Sequence, residues 1–539
     1  MNKIRLKIND KDIEVSTGTT LLDAARQMGV FIPTMCFQEG LPHFTSCMLC
    51  VVRDKNSGRL LPACSTLAEE GMDIDTDGQE VEDARRTALE LLLSDHVGDC
   101  QGPCQRACPA HMNIPLMLRQ IEYGNIRDAL MTVKQTIALP AVLGRICPAP
   151  CEKACRRGQV DQPIAICLLK RVVADAHLTD DPPSIPERKP RTGKHVVVVG
   201  SGPTGLSAAY YLLQEGYDCT VMDERDKPGG LLRYGVPEIR LPRSVLDSEI
   251  DIIRHLGADF KMKIRIGKDI PLDSLSKDFD AVILALGEIQ RETCDDFGLE
   301  STDAGIHVNI RTYETSMEGV FAGGNAVRAG RMAVRSVAHG RSMAFSVSRF
   351  LNNETRLDTD NPFHSRVNKL RPEEIESFVH LANQQKYRTF LNEGSVNVSP
   401  SEAVTPEQAA LEAARCLHCE CRKPDTCKLR QYAQVYRVHS HHFNGYDRKI
   451  IERIVHHPVV VYEPGKCIKC GLCVRITEAS GEDLGLTFIG RGFNVRIGVP
   501  LNQTLDKALA KTAARCVEAC PTGALAFKDG EHIDECAKL

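Results

Sequence analysis

The spacing of the cysteines restricts this chain more than any other feature. Of 23 cysteines in 539 residues, 20 fall into five local groups, and Cys219, Cys294 and Cys536 stand apart. The N-terminus, MNKIRLKINDKDIEVSTG, has no signal-peptide pattern. Clustered thiols in a large protein without such a leader point to metal ligands in a reducing compartment rather than to disulfides. A cytoplasmic location is therefore expected. The net charge of −4 argues against nucleic acid or an anionic membrane as the main partner. With no run of 18 apolar residues, no membrane span is expected.

The first group is Cys36, Cys47, Cys50 and Cys64. Ahead of it, Ile4, Leu6 and Ile8 alternate, then Ile13 and Val15, which predicts a β-hairpin turning at Asn9–Asp12. A short helix follows, apolar at Leu21, Leu22, Ala25 and Met28. Four thiols in this setting suit a [2Fe–2S] cluster, although a C-x2-C pair also suits tetrahedral zinc. The second and third groups are His96, Cys100, Cys104 and Cys108, then Cys147, Cys151, Cys155 and Cys167. Eight candidate ligands suit two [4Fe–4S] clusters.

The fourth group, Cys416, Cys419, Cys421 and Cys427, packs four thiols into twelve residues. It follows a predicted helix in TPEQAALEAARC, with Thr405 as N-cap and Pro406 at the first helical position. A [4Fe–4S] cluster or zinc would fit. The histidine runs at 439–442 and 456–457 read as exposed loop residues. In the fifth group, Cys467, Cys470 and Cys473 precede a distant Cys520-Pro, the spacing of one ferredoxin-type [4Fe–4S] cluster. Thr477 stands where a two-cluster ferredoxin has a cysteine, and Cys516 is a spare thiol.

Between the third and fourth groups lies HVVVVGSGPTGLSAAYYLLQEGYDCTVMD. Gly200 permits a tight turn, Gly202 a close approach to a pyrophosphate, and Gly205 close helix–strand packing. Asp223 ends the second strand, placed for a ribose. This fingerprint does not by itself separate FAD from NAD. The Pro- and charge-rich LTDDPPSIPERKPRTGK marks a boundary before it. A second fingerprint is missing. Only about thirty residues separate Gly287 from Gly319, too few for another βαβαβ domain.

Two resemblances add to this reading. The first cysteine group, and KCIKCGLCVR…GRGFNVRIG…CVEACPTGAL at the other end, resemble the large iron–sulfur subunit of respiratory complex I; the first group also resembles that of multi-subunit iron-only hydrogenases. RICPAPCEKAC, PGGLLRYGVPEIRLP, DAVILALGE and GVFAGGNAVRAGRMAVRSVAHGRSMA resemble the small subunit of glutamate synthase and its relatives. That second resemblance implies FAD, with Gly200, Gly202, Pro203, Gly205, Asp223, Gly230, Leu231, Arg240, Gly287, Gly324 and Asn325 as its binding residues. Asn325 stands where an aspartate is usual; an amide hydrogen-bonds the ribityl chain without adding charge, which eases flavin reduction.

The same resemblance implies interleaved cluster ligands. One cluster takes Cys100, Cys104 and Cys155, and the other Cys108, Cys147 and Cys151. His96 suits the first as fourth ligand, because His-x3-Cys also opens the histidine-ligated motif of the complex I subunit. Cys167 suits the second, where relatives place a carboxylate or amide; Lys170 is nearby and cannot ligate as an ammonium. A sequential set of His96, Cys100, Cys104 and Cys108 stays open.

Together the motifs resemble the large iron–sulfur/FAD subunit of flavin-based electron-bifurcating complexes of the NiFe-hydrogenase and formate dehydrogenase type. The expected fold is multidomain α/β plus α+β. A β-grasp [2Fe–2S] domain spans 1–80, a helical domain with two [4Fe–4S] clusters 81–180, and a Rossmann-like FAD domain 190–355. A helical linker spans 356–400, the four-cysteine metal site 401–440, and a ferredoxin-like [4Fe–4S] domain 455–539. The expected cofactors are FAD, one [2Fe–2S] and four [4Fe–4S], with zinc as the alternative at 416–427. The resemblance implies an electron-transfer subunit with no catalytic residues of its own. Its implied partners are an FMN/NAD-binding iron–sulfur subunit, a small thioredoxin-like [2Fe–2S] subunit, a hydrogenase or formate dehydrogenase module, and ferredoxin. A self-contained NAD(P)H oxidoreductase and an iron–sulfur scaffold with a vestigial flavin fold are the alternatives.

Overall fold

A computed structural model describes residues 3–178, 185–330, 332–354, 362–379, 382, 404–439, 442–443 and 448–528. They form two compact units. Unit one is drawn from 1–101, 359–381 and 418–539, and unit two from 102–358 and 382–417. The two ends of the chain thus fold together, although more than three hundred residues intervene between residue 101 and residue 418.

Unit one opens with strands Lys3–Ile8 and Lys11–Ser16, paired antiparallel with Ile8 opposite Lys11. Asn9 and Asp10 turn the chain with φ of 48° and 63°, a geometry that suits the twist of a hairpin. The turn is therefore two residues long, tighter than the expected Asn9–Asp12. The five-stranded sheet runs in the order Lys11–Ser16, Lys3–Ile8, Asp73–Asp75, Val51–Asp54, Leu60–Pro62. Helix Leu21–Gln27, capped by the Thr20 side chain accepting from Asp23 N, lays Leu21, Leu22 and Ala25 onto Leu6, Ile8, Val52 and Ile74. Cys50 and Cys64 belong to this same core.

The C-terminal part of unit one pairs Val460–Tyr462 with Leu525–Phe527, and Thr487–Ile489 with Arg496–Gly498. The second pair is the glycine-bearing FIGRGFNVRIG, a hairpin rather than a nucleotide loop. Helices Leu472–Ala479 and Ala513–Ala519 complete it. Of the expected helical linker at 356–400, the described part holds one helix, Pro372–Val379, and residues 362–371 are not helical. The rest of that linker, residue 382 apart, lies outside the described residues, as does Cys536.

Unit two begins with short helices, the first five of which start at a proline or follow an asparagine. They are Pro103–Ala107, Ile114–Glu122, Ile126–Lys134, Pro140–Ile146 and Pro150–Lys153, then Ile166–Leu178. Helix Pro406–Ala413 joins this unit, with a full capping box between Thr405 and Gln408. The parallel sheet follows the order Val320–Ala322, Ala281–Leu284, His195–Val199, Asp218–Asp223, Asp259–Met262. Chain order reverses at His195–Val199, where a doubly wound sheet opens its binding crevice. From Ala285 to Gly319 the chain makes only helix Arg291–Asp296 and the small hairpin at 301–306, so no second nucleotide domain intervenes. Cys219 and Cys294 are buried in apolar cores of this unit. Among the described residues, no helix is long and apolar enough to cross a membrane.

Candidate functional site

The crevice of the parallel sheet is shaped by absent side chains. Gly200 has φ of +105°, and a Cβ there would lie 2.3 Å from the Ala285 carbonyl oxygen. A Cβ at Gly205 would lie 1.8 Å from the Gly200 carbonyl oxygen, so helix Pro203–Gln214 rests directly on the turn. Gly202 faces open space beside the start of that helix, which Pro203 begins. Its free N–H groups and dipole favour a phosphate there. The Asp223 carboxylate braces the loop: Ser201 donates to it from N (2.7 Å) and Oγ (2.6 Å), and Arg225 N from 2.9 Å.

Two later glycines close on the same loop. A Cβ at Gly230 would sit 2.7 Å from Gly202 Cα, and one at Gly324 would sit 2.3 Å from Thr204 Oγ1. Gly324 N donates to His339 Nδ1 at 3.2 Å, and Asn325 Nδ2 donates to the Gly330 carbonyl at 2.9 Å. Leu231 and Arg240 are exposed, and Gly287 turns with φ of +82° just beyond Ala285. Thr204 and His339 carry no signal in the sequence. Neither has a motif signature, and each matters only through a backbone that returns from far along the chain. The void beside a helix N-terminus, kept by glycines, fits the pyrophosphate of a dinucleotide.

The first thiol set is compact. Cys36, Cys47, Cys50 and Cys64 are all buried in unit one. Cys36 hydrogen-bonds Cys47 and Cys64, and Cys50 hydrogen-bonds Cys64. The Thr45 hydroxyl lies 3.8 Å from Cys64 Sγ. Four sulfurs joined in the order Cys47, Cys36, Cys64, Cys50 match the donor set of a [2Fe–2S] cluster.

Cys467, Cys470, Cys473 and Cys520 line one pocket with Tyr462, Leu472, Ile497 and Leu525. Burial pushes the Cys467 thiol up to about 11 and raises Cys470 and Cys473 as well. A bound cation reverses that preference, since thiolates are its ligands. Lys469 N donates to Cys467 Sγ at 3.4 Å. Cys516 points elsewhere, its thiol 3.8 Å from the Cys473 carbonyl, and Thr477 spends its hydroxyl on Val474 O and Leu486 N.

A second cavity of unit one is lined by His96, Cys100, Cys421 and Cys427 together with Asp99, Lys423, Pro424, Arg430, Lys466 and Gly523. This departs from the expected sorting. His96 and Cys100 meet Cys421 and Cys427, while Cys104, Cys155 and Cys416 belong to unit two. The stretch 416–427 is thereby divided, because the unit boundary falls just after Leu417. Burial, reinforced by Lys466, lowers the His96 pKa to about 4, so the ring is neutral. The other histidine runs are not uniform. His442 is exposed and pairs with Glu90 at 2.6 Å, but His457 is buried and accepts from Val459 N and Val460 N, contrary to the exposed reading.

In unit two, Cys108, Cys147, Cys151 and Cys167 surround the Lys170 ammonium. Its Nζ lies 3.8 Å from Cys167 Sγ and feels the other three electrostatically. Cys167 also hydrogen-bonds Cys147 and Cys151. Burial works against the ammonium and charge on the sulfurs favours it, with the net effect of raising the Lys170 pKa. Cys104 and Cys155 pack against the apolar core that contains Cys416. A buried network of Arg157, Asp161, Glu412 and Arg415 ties the Cys155 segment to the Cys416 segment. Arg157 donates to Arg415 O at 3.0 Å, and Arg415 to Asp161 at 3.0 Å and Glu412 at 2.8 Å.

Four domain families match parts of the chain. Residues 1–79 match a 2Fe–2S iron–sulfur cluster binding domain, and 79–181 match dihydropyrimidine dehydrogenase domain II, 4Fe–4S cluster. Residues 198–257 match an NAD(P)-binding Rossmann-like domain, and 457–526 the ferredoxin-like domain of NADH-quinone oxidoreductase subunit 3. These are oxidoreductase domains. The chain is 40% identical over 205 residues to the NADPH-Fe(3+) oxidoreductase subunit beta of Geobacter sulfurreducens, covering 38% of this chain and 30% of that one. It is 40% identical over 206 residues to the NADP(+)-dependent formate dehydrogenase subunit beta of Moorella thermoacetica (34% and 29%). It is also 40% identical over 192 residues to the glutamate synthase [NADPH] small chain of Mycobacterium tuberculosis (35% and 39%). The chain thus spans about a third of the length of these curated relatives.

Proposed function

We propose that this chain is the electron-transfer subunit of a multi-subunit NAD(P)-linked oxidoreductase, holding FAD, one [2Fe–2S] and four [4Fe–4S] clusters. One observation carries the reading. A single apolar core of unit one contains Cys36 and Cys47 from the first thiol set, Cys427 from the histidine-lined cavity, and Cys470 from the C-terminal cavity. Met35, Leu49, Leu89 and Leu472 fill the space among them. Arg475 stitches two of the sites, its Nη2 donating to Cys36 O at 2.8 Å and Cys470 O at 3.2 Å. The groups these thiols would bind supply one-electron chemistry. The protein's part is to hold them, exclude water and connect them through packed side chains.

Unit two supplies the crevice for FAD, and among the described residues no second nucleotide domain stands between Ala285 and Gly319 to press a nicotinamide against the ring. The relatives named for formate dehydrogenase and Fe(3+) reduction support a place within such assemblies. The partners we infer are an FMN/NAD-binding iron–sulfur subunit, a small thioredoxin-like [2Fe–2S] subunit, a hydrogenase or formate dehydrogenase module, and ferredoxin, with electron bifurcation as the purpose. A second reading, a self-contained NAD(P)H oxidoreductase, is favoured by the NAD(P) in the description of the matched Rossmann-like family. Composition tests the first. Anaerobically purified protein should carry about 18 iron atoms per chain, from the stoichiometry of those cluster types, and one FAD. Four or fewer irons per chain, or bound NAD(P) without FAD, would contradict it.

A further inference from the structure

We infer that His96, Cys100, Cys421 and Cys427 form one ligand set, for a single [4Fe–4S] cluster whose binding motif is interrupted in sequence by unit two. The inference rests on the iron–sulfur reading above and assigns ligands that no motif at 416–427 assigns. All four side chains line one cavity of unit one. Cys421 is the electrostatic neighbour of both Cys100 and Cys427. Three sulfurs and one imidazole are a complete donor set for a four-iron cluster.

The histidine is prepared for this role. Its Nδ1 is buried and has no hydrogen-bond partner. The ring also lies against the Lys466 backbone. A buried imidazole nitrogen without a partner is free for metal. The cavity wall is prepared as well. A Cβ at residue 523 would lie 2.2 Å from Cys421 Sγ, so glycine makes room for that sulfur. Ser365 N donates to Cys100 Sγ at 3.3 Å. Lys423, Arg430 and Lys466 in the wall offset the negative charge that three thiolates would bring.

Two consequences follow. The cluster would join the chain just before the inserted unit to the chain just after it. Neutral imidazole in place of a thiolate would also raise its potential above that of an all-cysteine site, as it does in Rieske centres.

The test uses the full chain, purified anaerobically, reduced, and examined by pulsed EPR for nitrogen coupling to a cluster. In the wild type we expect imidazole coupling on one reduced cluster. His96→Cys should abolish it, keep the iron content and lower that cluster's midpoint while the others stay fixed. Cys421→Ser and Cys427→Ser should each alter the same nitrogen-coupled signal. The double variant His96→Cys/Cys421→Ser should perturb no second cluster. Gly523→Ala, a milder change for the case in which serine variants do not fold, should shift that one signal. The proposal is overturned if the wild type shows no nitrogen coupling. It is equally overturned if Cys421→Ser or Gly523→Ala changes a different cluster and leaves the nitrogen-coupled one intact, as a contiguous site at 416–427 would require. A wild type with no reducible cluster at all would instead sink the electron-transfer reading.

Discussion

At the scale of single residues, a few positions hold the nucleotide crevice open and leave no alternative. Gly200 combines a left-handed backbone with a Cβ direction that ends 2.3 Å from the Ala285 carbonyl oxygen. Strain of this kind costs about 1–3 kcal/mol before the clash is counted. On the proposed function, Gly200→Ala should therefore release the flavin while unit one keeps its clusters. The flavin-to-iron ratio of the purified variant checks this, and a wild-type ratio would contradict it. Gly200, Gly202 and Gly205 were legible in the sequence, because a phosphate-binding turn needs those absences at that spacing. The partners of His96 were not. Spacing assigns ligands only within a contiguous stretch, and Cys421 reaches His96 through folding rather than through sequence.

At the scale of elements, the helices of unit two depend on buried polar contacts that periodicity does not reveal. Glu249, buried in helix Arg243–His255, accepts from Ala141 N and Val142 N, both at 2.9 Å, at the start of helix Pro140–Ile146. Burial pushes its pKa up to about 7 from 4.5, despite those two N–H groups. The folded state then keeps a proton that the unfolded state has lost, so stability falls as pH rises between about 4.5 and 7. The shift corresponds to about 3 kcal/mol at most. Calorimetry of wild type and Glu249→Gln should show unit two of the wild type losing stability from pH 5 to pH 8, and a flatter profile in the variant. Parallel profiles would contradict the assignment. The helix Pro406–Ala413 was readable from Thr405 and Pro406, since a cap is a local signal. Its contribution to unit two, through Glu412 accepting from Ala165 N at 2.8 Å, was not, because that partner lies far away in sequence.

At the scale of the whole molecule, domain identity was legible and domain nesting was not. The alternating hairpin, the glycine loop and the Cys520-Pro ending each announce a local fold. The assembly of residues 1–101 with 418–539 into one unit has no local signature, because the contacts that create it connect segments on either side of the inserted unit. The proposed function holds that the flavin of unit two exchanges electrons with clusters rather than with a nicotinamide. Hydride transfer needs a nucleotide held against the ring, and the chain from Ala285 to Gly319 has no room for the domain that would hold it. Stopped-flow absorbance of the anaerobic, isolated chain tests this most directly. The account predicts rapid bleaching by dithionite or reduced ferredoxin and none on that time scale by NADH or NADPH. Fast bleaching of the flavin band of the lone chain by either nucleotide would contradict it.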